Sequence, residues 1–101
     1  MNETLQTALV GSPTTTRPRM TLVTAPACHF CEDAHERLGV LESRGLLTLT
    51  LVAAESSDGQ ALIGKHRPGM FPLMILDGNY FHDGRLPRGK LARLVQQLEA
   101  S

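Results

Sequence analysis

The sequence predicts an α/β fold, a four-stranded mixed sheet flanked by helices on its two faces, in the order β-α-β-α-β-β-α. Three observations lead there. Short apolar or alternating stretches recur between segments whose apolar residues follow a helical period. Asp77-Gly78 separates two of those stretches and signals a two-residue hairpin. The only two cysteines of the chain fall in Cys28-His29-Phe30-Cys31, where a strand hands over to a helix.

Taken in order, residues 1–19 read as a flexible N-terminal tail and residues 20–101 as one folded domain. Gly11 to Arg19 holds Pro13 and Pro18, small polar residues and no apolar period. Residues 4–10 are too few for a helix standing alone. Met20 to Ala25 is a short buried strand. A helix then runs from about His29 to Arg44, with Ala34, Leu38 and Leu41 on one face. Glu32 and Asp33 suit its positive end, Asp33 and Arg37 form an i,i+4 pair, and Gly45 is the stop. Leu46 to Val52 alternates Leu with Thr, the pattern of a half-buried edge strand.

Ser57-Asp58-Gly59-Gln60 resembles a capping box opening a short helix with Leu62 and Ile63 inward, which ends near His66 ahead of Pro68. Pro72 to Leu76 is apolar throughout and therefore a central strand. Asn79 to His82 is the strand that returns from the hairpin. The last helix begins near Pro87 and presents Leu91, Leu94, Val95 and Leu98 on one face.

Composition narrows the function. Ten basic residues balance ten acidic ones, so the chain carries no electrostatic footprint for nucleic acid or an anionic membrane. No apolar run approaches the roughly 18 residues of a membrane span. Residues 1–10 begin with an acid rather than a basic region, unlike a signal peptide. A cytoplasmic home is therefore expected, where a lone vicinal cysteine pair is more often catalytic than structural.

The chemistry explains where the pair sits. The first turn of a helix offers unpaired N–H groups and the positive end of the macrodipole. A thiolate at Cys28 is favoured there, and its pKa is expected to fall from about 8.5 into a range of roughly 3.5–7.5. Cys31, one turn on and on the Ala34/Leu38 face, is expected to be less exposed. Cys28 then attacks and Cys31 resolves. Two cysteines also suit half a zinc site or plain core positions, but no second Cys pair is present, and dithiol chemistry is preferred.

Other residues have two readings each. His29, if protonated, would stabilise a Cys28 thiolate; otherwise it is an exposed residue at a helix start. Phe30 covers the sulfurs or forms a docking surface. Lys65-His66-Arg67 matches a helix C-terminus or makes an anion site. His35, His66 and His82 do not fit the spacing of a closed metal site, so no metal and no other cofactor is expected.

Pro26-Ala27-Cys28-His29-Phe30-Cys31-Glu32, Phe71-Pro72 before an apolar strand, and the Asp77-Gly78 hairpin together resemble the glutaredoxin-type thioredoxin fold. The likeness runs from Met20 to Ala100. The Cys-His-Phe-Cys centre is similar to a bacterial glutaredoxin-like branch whose usual motif is Cys-His-Leu-Cys. The resemblance implies a thiol–disulfide oxidoreductase. It implies a cis peptide bond before Pro72 beside the sulfurs, with the Phe71 backbone pairing with the substrate chain; His29 and Phe30 complete the expected substrate-binding set. Disulfide-containing proteins or small thiols are the implied substrates, and a thiol or a reductase is the implied electron donor. A monomer is expected.

The chain departs from the family in ways that bear on glutathione. Ala25 stands where the classical members have lysine, Met70-Phe71 where they have Thr-Val, and Asp83-Gly84-Arg85 where they have Gly-Gly and an acidic pair. It lacks thioredoxin's Trp, and Leu22 holds the place of thioredoxin's buried Asp, so a proton at Cys31 must travel another way, through water. The rival reading is a non-catalytic binding module, or a metal- or iron–sulfur-carrying one, on the same fold.

Overall fold

The structure, a computed structural model, describes residues 17–100. Most of the expected tail, residues 1–16, lies outside the described residues. Of the remainder, Arg19 opens the first strand and the Pro18 carbonyl accepts the Thr48 N–H at 2.9 Å.

The elements are β1 (Arg19–Thr24), α1 (His29–Ser43), β2 (Thr48–Ala53), α2 (Ser57–His66), β3 (Leu73–Leu76), β4 (Asn79–Asp83) and α3 (Arg88–Ala100). This is the expected order. The sheet runs β2-β1-β3-β4, so the alternating strand is at an edge and the apolar one is interior, as their patterns required. β1 pairs parallel with β2 across the α1 crossover, whereas β1–β3 and β3–β4 are antiparallel.

Period-two alternation divides the core between the two faces. Met20, Leu22 and Met74 pack with Ala34, Leu38 and Leu41 of α1 and Leu94 of α3. Val23, Leu73 and Ile75 pack on the opposite face, with Leu62 and Ile63 of α2 against them. Each fully buried Leu contributes roughly 1.5–3 kcal/mol of transfer free energy. Leu91, Val95 and Leu98 extend the first cluster, as the face predicted for the last helix required.

Helix ends follow local chemistry. α1 closes through Gly45 at φ +76°, with Leu46 N–H on Leu41 O at 3.0 Å and Gly45 N–H on Glu42 O at 2.9 Å. That closure uses Leu46, so β2 starts at Thr48 rather than at Leu46. The Asp33–Arg37 pair forms at 2.9 Å. The cap of α2 differs from the expectation by one residue. Ser56, not Ser57, is the N-cap: its Oγ accepts the Gly59 N–H at 3.0 Å and donates to Ala53 O at 2.7 Å. Gln60 reaches back to Ala54 O at 2.7 Å instead of closing a capping box on a serine.

The hairpin turn has Asp77 at φ +51° and Gly78 at φ +84°, the double positive φ that a two-residue turn of this hand needs. The Asp77 carboxylate also accepts the Arg19 N–H at 2.8 Å, tying the turn to the start of β1.

Candidate functional site

β1 delivers the chain to Ala25 and Pro26, and Ala27 at φ +51° turns it into the helix. A left-handed conformation costs a non-glycine residue on the order of 1–2 kcal/mol, so the turn is imposed by its flanks. Cys28 follows as the N-cap of α1, extended at φ −121° and ψ 103°. Its Sγ accepts the Cys31 N–H at 3.1 Å, and its carbonyl accepts the Glu32 N–H at 3.1 Å. The two cysteines are joined as a disulfide, with Cα atoms 5.2 Å apart. The pair is asymmetric: Cys28 is half-buried, whereas Cys31 is 4% exposed and continues the Ala34/Leu38 face into the core.

Two recesses flank the disulfide. A groove of about 420 Å³ is lined by Ala25, Ala27, Cys28, His29, Phe30 and Phe71. Four of the six residues singled out from the sequence thus meet there. Pro72, fully buried, stands behind Phe71, and the peptide bond between them is cis. The other recess, about 170 Å³, reaches Cys31 and is bordered by Thr24, Cys28, Glu32, His35 and Leu51.

Leu51 lies on the same face of β2 as Leu49, yet it is 49% exposed where Leu49 is half-buried. The strand alternates over Thr48, Leu49 and Thr50 and then breaks the expected pattern at Leu51, which runs out to the mouth of this second recess. His29 points to solvent, with Nδ1 3.7 Å from Glu32 Oε1; both side chains are largely exposed, so solvent screens the pair.

One part of the site escaped the sequence reading. Asp83, at the end of β4, accepts the Gly69 N–H at 2.6 Å, the Met70 N–H at 2.9 Å and the Tyr80 hydroxyl. Tyr80 and Asp83 are three residues apart, a spacing that regular alternation puts on opposite faces. The ladder pairs Met74 with His82 but Ile75 with Tyr80, so Phe81 is one extra residue on β4. That bulge reverses the alternation and brings the two side chains to one side. The residue pattern of β4 does not mark the bulge, so no sequence signal could have found the pair.

His82, considered from sequence as a metal ligand, is engaged otherwise. Its Nε2 faces the Arg85 carbonyl at 2.9 Å, and its Nδ1 lies 3.2 Å from Lys90 Nζ. Among the described residues, no three His, Cys, Asp or Glu side chains are grouped to hold a metal ion. Nor is any described helix long and apolar enough to cross a membrane.

The Tyr80 hydroxyl is the main reason the Asp83 carboxyl is held below its ordinary value of 3.8. Partial burial opposes the shift, and the Met70 and Gly69 N–H groups add to it. The same hydrogen bond raises the Tyr80 phenol above 10.0. A lowered carboxyl contributes stability that is complete above its unfolded value and lost as pH falls through the folded one; the raised phenol contributes below 10.0 and loses that contribution as pH rises past its folded value. Wild type is therefore expected to lose more stability between pH 5 and pH 3 than Asp83→Asn, measured as the shift in urea midpoint. Equal losses would remove this assignment.

No family model matches the chain, and no curated protein matches it. Solved structures do. An uncharacterized thioredoxin-like protein from Clostridium perfringens aligns with a TM-score of 0.62 at 17% identity, over 81% of this chain and 71% of that one. A protein of unknown function from Staphylococcus aureus aligns with a TM-score of 0.60 at 14% identity, over 85% and 94%. A thioredoxin from Thermus thermophilus aligns with a TM-score of 0.51 at 21% identity, over 86% and 75%. At these identities the likeness speaks to fold: the chain has a thioredoxin-like α/β fold, with its cysteine pair at the junction of β1 and α1.

Proposed function

We propose that this protein is a small thiol–disulfide oxidoreductase of the glutaredoxin-like type, acting in the cytoplasm, with Cys28 as nucleophile and Cys31 as resolving thiol. The asymmetry of the pair carries this reading. Cys28 sits at the positive end of α1, half-buried and bordering the groove, with the Cys31 N–H directed at its sulfur at 3.1 Å. Cys31 is buried behind it.

In the reducing direction, the Cys28 thiolate attacks one sulfur of a substrate disulfide. The substrate S–S bond breaks, a mixed disulfide forms, and one substrate thiolate leaves. Cys31 then loses its proton and attacks the Cys28 sulfur, which releases the second substrate thiolate and closes the Cys28–Cys31 disulfide. Two electrons pass to the substrate, and each thiolate released takes a proton. The recess beside Cys31 gives that proton a path toward Glu32, His35 and water. A thiol or a protein reductase must reduce the pair again.

Phe71 lines the groove together with Cys28, its backbone is the part that would pair with the substrate chain, Pro72 stands behind it, and His29 and Phe30 line the groove from α1. Support for this set comes from the meeting of Phe71, His29 and Phe30 with Cys28 at one groove. The test is a single-turnover reaction of the reduced protein with a peptide disulfide. One equivalent of disulfide should be reduced while the Cys28–Cys31 disulfide forms, with a midpoint potential in the range of roughly −270 to −120 mV. Absence of exchange would favour a non-catalytic module.

Glutathione is expected to be a poor donor. The chain has Ala25 in place of a cation and Asp83-Gly84-Arg85 in place of the Gly-Gly-acid signature. Each lost charged hydrogen bond costs roughly 1.5–3 kcal/mol, so two such losses weaken binding by about a hundredfold or more. Turnover in a glutathione-coupled assay should be low, and higher with a protein reductase or another small thiol. A glutathione rate equal to that of an ordinary dithiol glutaredoxin would overturn this and direct attention to Lys65 or Arg67 as the anchor.

A further inference from the structure

The segment that carries Phe71 to the groove is held in place from β4. Gly69 and Met70 donate their N–H groups to one carboxylate oxygen of Asp83, at 2.6 and 2.9 Å. The other oxygen takes the Tyr80 hydroxyl. Past Phe71, the Pro72 carbonyl accepts the Gly84 N–H at 3.0 Å, and Gly84 adopts φ +83°. Residues 69–72 are thus tied on both sides of Phe71 to the Asp83-Gly84 corner.

Phe71 itself is different: among the described residues, no hydrogen bond uses its backbone N–H or C=O. Phe71 borders the groove that Cys28 also lines, and it packs on the Val23, Leu73 and Ile75 cluster. A residue whose neighbours are fixed and whose own backbone groups are open is prepared for strand addition.

We propose that Asp83 is a positioning residue that holds the open backbone of Phe71 beside Cys28 and so favours disulfides within extended peptides over small disulfides. The proposal rests on Cys28 being the nucleophile. The carboxylate suits the task because one oxygen accepts both backbone N–H groups while the other accepts the Tyr80 hydroxyl, and an alanine offers no acceptor at all. Without it, residues 69 and 70 would have to be ordered when substrate binds. Ordering one residue's backbone corresponds to roughly tenfold in affinity, and ordering both to about a hundredfold at most. A small disulfide has no flanking chain to pair with Phe71 and does not meet this cost.

The test compares kcat and KM for a peptide disulfide with extended flanks and for a small hydroxyalkyl disulfide, in wild type, Asp83→Ala and Tyr80→Phe. For Asp83→Ala, the peptide kcat/KM should fall about ten- to a hundredfold, chiefly through KM. The small-disulfide rate and the rate of Cys28 alkylation should stay within twofold. Tyr80→Phe keeps both backbone donors on Asp83 and should show the same selective loss in smaller measure.

Equal losses for the two substrates, or no loss for the peptide, would overturn the proposal. If Asp83→Ala does not fold, Tyr80→Phe decides by the same comparison. Wild-type protein that exchanges with neither disulfide would instead overturn the nucleophile assignment beneath it.

Discussion

Cys28→Ser should abolish exchange with disulfide substrates, and Cys31→Ser should stop the reaction halfway with a substrate covalently attached. The difference follows from position. Cys28 borders the groove and caps α1, so its sulfur is the one a substrate can meet. A serine hydroxyl there can still accept the Cys31 N–H but is no nucleophile toward a disulfide at neutral pH. In Cys31→Ser the first attack proceeds, yet no second thiol releases the mixed disulfide. Gel-shift and mass analysis after exposure to a peptide disulfide should therefore show an adduct on Cys31→Ser alone. An adduct on Cys28→Ser would reverse the roles.

Gly59→Ala should destabilise the fold, although alanine is the better helix former. Added at Gly59, a Cβ would stand 2.1 Å from the Ala53 carbonyl oxygen and 2.9 Å from that of Ala54. Both are backbone atoms at the end of β2, where α2 begins against the strand, so neither can rotate away. Forcing an extra methyl into a filled site costs about 1–3 kcal/mol.

For a domain of this size, that lowers Tm by roughly 4–8 °C per kcal/mol. Gly39 and Gly64 provide the control. They are also helical, but a Cβ there meets nothing within 4 Å, so alanine at either should stabilise by about 0.5–1 kcal/mol. Thermal melts of the three variants check the contrast. A stabilised Gly59→Ala would show that the approach of α2 to β2 is looser than described.

That glycine illustrates what the sequence could and could not reveal. Element order was legible because period and punctuation agreed: Asp77-Gly78 between apolar runs, Gly45 after a helical face, a Leu/Thr alternation that became an edge. The cysteine pair was legible because strand, turn and helix start all converge on it. The cap of α2, by contrast, was placed one residue late, at Ser57 rather than Ser56. Ser56 serves because the end of β2 brings the Ala53 carbonyl within reach of its hydroxyl.

The Asp83–Tyr80 pair depended on a bulge at Phe81, which no alternation pattern announces. The cis Phe71–Pro72 bond followed only from the resemblance, since proline alone rarely implies it. The recess beside Cys31 is a gap between elements, and a pattern of residues does not specify gaps.

The most direct test of the central claim is which sulfur reacts first. The reduced protein, treated at pH 6–7 with less than one equivalent of an alkylating reagent and then mapped by peptide mass, should carry the label on Cys28. Preferential labelling of Cys31 would contradict the account.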